Sequence, residues 1–377
     1  MKYLLNLPNI TSLEKKYVNK AISSNWISVN GKFNKLFEKE FGKIVKKKFN
    51  IGVQSGTAAL HLAIKSMGIT NKDFVVTPNY SCSANISSIS QCNAKALIVE
   101  VEKDTLGIDY ESLKLAINKY KPKIVQLVHI YGFPARDTFK IVKLCRKKNI
   151  KIIEDVSEAI GSTLNKRYVG SFGDITITSI RSEKLLGVGE GAVISTNDKK
   201  IFDRIDLLAN RNMPFRGGKD PYWKKYISKG EGYNYLMPHL LGAFGYAQIK
   251  NFRKNLRKKI RIGKTYRTVF KNYNFAQKVV KNSKPVFWLN HIYLKNLPTN
   301  KIRKLGNYLI KNGIEIRSGF WPLYYTPNII KKYVSINNRN FSNKLFEKIV
   351  VLPSNINLKL KDIQYIKYKI DKYLKNN

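Results

Sequence analysis

The chain has 377 residues, 43% hydrophobic and 12% aromatic, which excludes a disordered segment and leaves room for two cores. Lys and Arg number 69 against 25 Asp and Glu, a formal charge of +44. These residues are scattered in short runs such as "KIVKKKFN" and "RKNLRKKIRIGK" without a nucleic-acid motif, so the charge reads either as nonspecific attraction for polyanions or as the habit of an AT-rich coding sequence.

The start, "MKYLLNLPNI", is too short for a signal core and is broken by Pro8, and no later run reaches the ~18 apolar residues of a membrane span. The expectation is a soluble, cytoplasmic protein with no membrane partner. Cys82, Cys92 and Cys145 lack metal-ligand spacing, so no metal is expected and a reducing compartment is.

From about Lys48 to Asp198, short Val/Ile-rich runs alternate with amphipathic stretches: "FNIGVQS", "DFVVTPN", "KALIVEVE", "KIVQLVHI", "IKIIEDVS", "DITITSI" and "GAVISTN". Strands of this length separated by helical segments predict a mostly parallel sheet covered by helices on both faces. A long basic amphipathic helix from about Ile249 then leads to a shorter run of strands and helices. The predicted division is a large domain over 1–250 and a smaller C-terminal α/β domain over 251–377, with the first ~25 residues packing on the small one.

Sites in such sheets gather at the carboxyl ends of the strands. There, Ser55-Gly56-Thr57-Ala58 forms a strand-to-helix turn, which reads either as plain structure or as a phosphate seat built from unpaired helix N–H groups. Asp155, after Glu154, reads as a helix cap or as the partner of a protonated ring nitrogen in a heteroaromatic cofactor. Lys184, where the chain leaves an apolar strand before "GVGEG", is either a snorkelling side chain or a chemical one.

These signals, with "WISVNGKF", "SGTAALHLAI", "HIYGFPARD", "EDVSEAIGS", "VGSFGDITITSIRSEKLLGVGEGAVISTND", "GYNYLMPHLLGAFGYAQI", "IEIRSGFWPL" and "VLPS", resemble in content and order the DegT/DnrJ/EryC1/StrS family of pyridoxal-phosphate-dependent sugar aminotransferases. The resemblance spans nearly the whole chain and implies the fold-type I aminotransferase architecture. It implies that Lys184 bears the cofactor, that Asp155 partners the pyridine nitrogen, and that Ser179 with the turn at Gly56, Thr57 and Ala58 cradles the phosphate. Glu158 stands where many relatives carry a cofactor-contacting glutamine; a glutamate there resembles the perosamine-synthase-like and legionaminate-pathway branches.

Several positions depart from the family pattern. Cys82 in "TPNYSCSAN" occupies the place of a ring stacked on the cofactor, with Tyr80 as a substitute. Leu236 replaces an Arg or Asn that reaches the neighbouring subunit's phosphate, leaving Asn234 for that contact. Tyr324 replaces a histidine, and Ala192 a glycine.

The resemblance implies a homodimer with shared active sites, pyridoxal 5'-phosphate cycling through its pyridoxamine form, and transfer of an amino group from glutamate to a GDP- or UDP-linked 4-keto-6-deoxysugar for surface-polysaccharide synthesis. No specific nucleic-acid partner is expected. The alternatives are a sugar dehydratase of the family, whose members carry histidine in place of the lysine, and a nucleic-acid-binding or regulatory relative with altered chemistry. The apolar helix in "GYNYLMPHLLGAFGYAQI" fits either a dimer face or a core within one chain.

Overall fold

The computed structural model describes residues 1–215, 222–336 and 341–376. In chain order, α1 (Ser12–Ile22) and α2 (Lys32–Val45) precede an alternation of β1 (Phe49–Val53), α3 (Gly56–Ser66), β2 (Phe74–Pro78), α4 (Ser83–Gln91), β3 (Lys95–Val99), α5 (Tyr110–Tyr120), β4 (Ile124–Val128), α6 (Thr138–Lys147) and β5 (Lys151–Asp155). The short strands β6 (Thr163–Leu164) and β7 (Arg167–Tyr168) then lead to β8 (Ile175–Ser179), β9 (Ala192–Thr196) and α7 (Lys199–Ala209). The remainder is α8 (His239–Val269), β10 (Ser283–Lys284), β11 (Asn290–Tyr293), α9 (Thr299–Lys311), β12 (Arg317–Ser318), β13 (Lys331–Val334), α10 (Phe341–Lys348), β14 (Ile349–Leu352) and α11 (Leu360–Asn376).

An eight-stranded sheet runs in the order β1-β9-β8-β5-β4-β2-β3-β13. All its neighbouring pairs are parallel except those of β9, which runs against both β1 and β8. Strands such as β4, "IVQLV", and β9, "AVIST", are buried along their whole length because helices cover both faces. All seven expected runs form strands of this sheet. Its eighth member, β13, comes from beyond residue 330, so the C-terminal part of the chain also contributes an edge to the large sheet.

No break marks the boundary expected near Lys250, which lies inside the 31-residue helix α8. The first half of α8 packs with Phe37, Phe41 and Met237, and its second half places Ile262 and Tyr266 in a core with Leu305, Leu352, Ile363 and Ile366. Beside that second core lies the three-stranded sheet β11-β14-β12. The N-terminal segment divides: Tyr3 bridges Ile314 and joins the C-terminal core, whereas Ala21 of α1 packs with Phe33 and Ala243. Ala243 is fully buried within the single chain, so this part of "GYNYLMPHLLGAFGYAQI" is core and not a dimer face. Among the described residues no helix is long and apolar enough to cross a membrane.

Candidate active site

The carboxyl ends of β1, β5 and β8 meet at one cavity of about 210 Å³. Of the expected site residues, Gly56, Thr57, Cys82, Asp155, Glu158, Ser179 and Lys184 line it, although they come from turns and loops far apart in the chain. A larger hollow of about 600 Å³ lies at the amino ends of β4 and β5, lined by Lys121, Lys123, Lys148 and Lys151, away from these groups.

The reversed strand β9 lies between β1 and β8, whose ends flank the cavity. Ala192 pairs with Val53 of β1 on one side and with Ser179 of β8 on the other, which brings the β1–α3 turn beside the end of β8. The methyl group of Ala192 is buried in the core, so the loss of a glycine here leaves the strand intact. A Cβ placed on Gly56 would fall 3.2 Å from Ser179 Cβ, tighter than an ordinary contact, so any side chain at 56 would crowd the gap.

Ser55 caps α3, its Oγ accepting from Ala58 N at 3.1 Å. The Ala58 amide is therefore engaged by the cap, and Ala58 does not line the cavity. Helix geometry leaves the Gly56 and Thr57 N–H groups without intrahelical acceptors, at the positive end of the helix dipole. Ser179 is held by its backbone, whose N–H donates to Ser157 Oγ at 2.9 Å. Two unengaged N–H groups and a hydroxyl around a gap too small for a side chain form a seat suited to a phosphate.

Asp155 is 6% exposed and does not cap a helix as one reading had it. Its Oδ1 accepts from Ser157 N at 3.0 Å and its Oδ2 from Asn85 Nδ2 at 3.2 Å, with no cationic partner among the described residues. A buried carboxylate held by two neutral donors is suited to an N–H⁺ of a bound ring. Adjacent Glu154 faces the other way and accepts from His129, Gly170, Phe172 and Gly173. Burial alone would raise its pKa, but these donors outweigh burial and hold it below the ordinary value.

The Lys184 side chain is 11% exposed, with Nζ 3.5 Å from Glu158 Oε1 and 3.5 Å from the centroid of the Trp288 ring. Glu158 also accepts the Tyr131 N–H at 2.8 Å. Its burial raises its pKa, an effect opposed by the Lys184 charge. In this arrangement the Glu158 carboxylate is first of all the neighbour of the lysine.

One sequence expectation has another placement. Tyr80 does not compensate for Cys82: it is fully buried, its hydroxyl 2.9 Å from Tyr131 Oη and its ring against Phe320, outside the cavity. Tyr324 packs against Tyr333, and its backbone N–H donates to Asn79. Asn234 is exposed, bridged to Asn210, and does not line the cavity of its own chain. Leu236 is buried and bridges Val53, consistent with its apolar side chain.

Sequence reasoning did not assign roles to Asn85, Ser157 or Trp288. Ser157 sits two residues beyond Asp155 in the same motif and was within reach of a local reading. Asn85 and Trp288 are 70 and 104 positions from the residues they touch, Asp155 and Lys184, and carry no local signal.

A family model described as the DegT/DnrJ/EryC1/StrS aminotransferase family matches residues 8–371. A GDP-perosamine synthase of Escherichia coli O157:H7 is 32% identical over 377 residues, covering 99% of both chains. One of Vibrio cholerae is 35% identical over 323 residues, 85% of each chain. In structure, the Helicobacter pylori aminotransferase PseC, involved in the biosynthesis of pseudoaminic acid, superposes with a TM-score of 0.89 over 100% of both chains at 20% identity. The chain belongs to the DegT/DnrJ/EryC1/StrS aminotransferase family and is a pyridoxal-phosphate-dependent sugar aminotransferase.

Proposed function

We propose that this enzyme moves the amino group of glutamate to the keto carbon of a nucleotide-linked 4-keto-6-deoxysugar, with GDP or UDP as the nucleotide. The observation that carries this reading is the convergence of Lys184, Asp155 and the Ser179–Thr57 seat on one cavity in a chain similar throughout to GDP-perosamine synthases.

Thr57, Gly56 and Ser179 would hold the cofactor phosphate, Asp155 the proton on its ring nitrogen, and Lys184 its aldehyde carbon. When bound, pyridoxal phosphate supplies an electron sink that lets the donor's α-proton leave. Lys184 Nζ, once released, takes that proton and returns one as general base and acid. Glu158 stabilises the protonated state of Nζ. Cys82 lines the cavity as a small side chain where relatives set a ring, so it leaves space and does not stack.

We also assign the active form to a homodimer in the cytoplasm that feeds surface-polysaccharide synthesis. Asn234 is exposed and does not line its own cavity, which suits it to the cavity of a second copy. Light scattering at working concentration tests the assembly, and a fully active monomer refutes it.

The function is tested with purified protein. Borohydride should fix the cofactor mass on the Lys184 peptide, glutamate should bleach the cofactor's visible absorbance, and a GDP- or UDP-4-keto-6-deoxysugar should restore it. Loss of water from the sugar without gain of an amino group would identify the dehydratase instead.

A further inference from the structure

The residue before Lys184 is gripped from outside the large sheet. The carbonyl of Glu183 accepts Asn6 Nδ2 at 2.5 Å and Trp288 Nε1 at 3.0 Å. Asn6 belongs to the N-terminal segment and Trp288 to the segment leading into β11. Both are far in sequence from the loop between β8 and β9 that carries Lys184. The same indole that donates to this carbonyl presents its face to Lys184 Nζ, 3.5 Å from the ring centroid.

The two donors are themselves fixed. Asn6 Oδ1 accepts Lys259 Nζ at 3.2 Å, and Lys259, fully buried on α8, also donates to Ser354 O at 2.5 Å. Ser354 N donates to Leu5 O at 2.6 Å, and Ser354 Oγ accepts from Asn290 N at 2.8 Å, two residues beyond Trp288. Trp288 is 5% exposed and backs onto Gly132, where an added Cβ would fall 2.5 Å from Trp288 N. Gly132 has φ 96°, a conformation that also favours glycine.

The geometry points to Trp288 and Asn6 as positioning residues for Lys184: together they lock the Glu183 carbonyl, and the Trp288 ring face receives the lysine ammonium whenever the amine is free. The lysine side chain has four rotatable bonds and must leave and return in each half-reaction. A fixed backbone at its root and a defined resting place for its head shorten that search, because a misplacement of about 1 Å at a reacting group can cost on the order of a hundredfold in rate. The ring face gives the cation a seat beside Glu158 without introducing a second carboxylate. This inference rests on the reading of Lys184 as the cofactor-bearing lysine.

Three variants of the full chain test it. Trp288→Leu removes both the ring face and the N–H, Trp288→Phe keeps a ring face without the donor, and Asn6→Ala removes the other donor. Steady-state rates across a range of glutamate concentrations give kcat and KM. In the same proteins stripped of cofactor, trinitrobenzenesulfonate labelling of Lys184 is read by peptide mass against exposed reference lysines.

For Trp288→Leu the expected result is a kcat lowered about ten- to thirtyfold, a glutamate KM within about twofold, and Lys184 labelled several-fold faster. Trp288→Phe and Asn6→Ala should each lower kcat only about three- to fivefold. Should Trp288→Leu fail to fold, those two variants decide: unchanged kcat and unchanged labelling in both overturns the inference. Equal losses in Trp288→Phe and Trp288→Leu would overturn the role of the ring face. Cofactor fixed by borohydride on a different lysine would instead refute the reading of Lys184, a result independent of the labelling in cofactor-free protein.

Discussion

Glu154 and Asp155 are neighbours at the end of β5, yet they serve opposite faces of the sheet. Strand alternation turns Asp155 toward Asn85 and the cavity, and Glu154 toward His129 and the amides of Gly170, Phe172 and Gly173. The two carboxylates therefore have separable functions, one in the chemistry and one in the fold.

Asp155→Asn should still bind cofactor but lose transamination by on the order of a hundredfold or more, since a preorganised charge at the reacting centre is removed. Cofactor titration alongside single-turnover kinetics checks this. Near-normal turnover would leave Asp155 with only its hydrogen bonds to Ser157 and Asn85.

Glu154→Gln should instead destabilise the fold by about 2–3 kcal/mol, because a charge-assisted acceptor for several buried donors is lost. Urea unfolding measures it. The carboxyl is held below its ordinary pKa, so its contribution is complete above the usual carboxylate range and disappears as pH falls through the lower folded value. The variant should therefore converge on the parent in acid, and a constant difference at all pH values would contradict this account.

Lys259 is fully buried with two neutral acceptors, and burial pushes its pKa down to about 7 from an ordinary 10.5. Between those values the unfolded chain holds a proton that the folded one has released, so stability due to this group rises with pH across that window. Relative to Lys259→Met, the parent should gain about 2–3 kcal/mol between about pH 6 and pH 9. Parallel stability curves for the two proteins would show that Lys259 stays charged throughout.

Gly56→Ala should leave melting within a few degrees of the parent but weaken cofactor retention several-fold, because the new methyl group would sit 3.2 Å from Ser179 Cβ at the phosphate seat. Equilibrium dialysis of pyridoxal phosphate gives the comparison. Unchanged retention would move the phosphate seat elsewhere.

The high positive charge has its own test. If it is a compositional habit, binding to duplex DNA should be weak, indifferent to sequence and steeply reduced by salt. Tight binding that survives moderate salt would contradict that reading.

Local sequence determined the strands of the large sheet and the turn at Ser55, because apolar runs of five residues and a small-residue helix start are settled by neighbours in the chain. Order of motifs determined the family, and with it Lys184, Asp155 and Ser179 as candidates. What the sequence could not supply was the partner of each group. The opposed facing of Glu154 and Asp155 follows from alternation, but Asn85 on Asp155 and Trp288 on Lys184 are contacts between elements 70 and 104 residues apart. Tyr80 looked available to the cavity by proximity to Cys82, but the chain turns between them: the tyrosine is in the core against Tyr131 and Phe320, and the cysteine is at the cavity wall. Ala243 reads equally as interface or core until α1 and α2 are seen to cover it. Burial depends on which distant surfaces meet, and only the tertiary structure decides that.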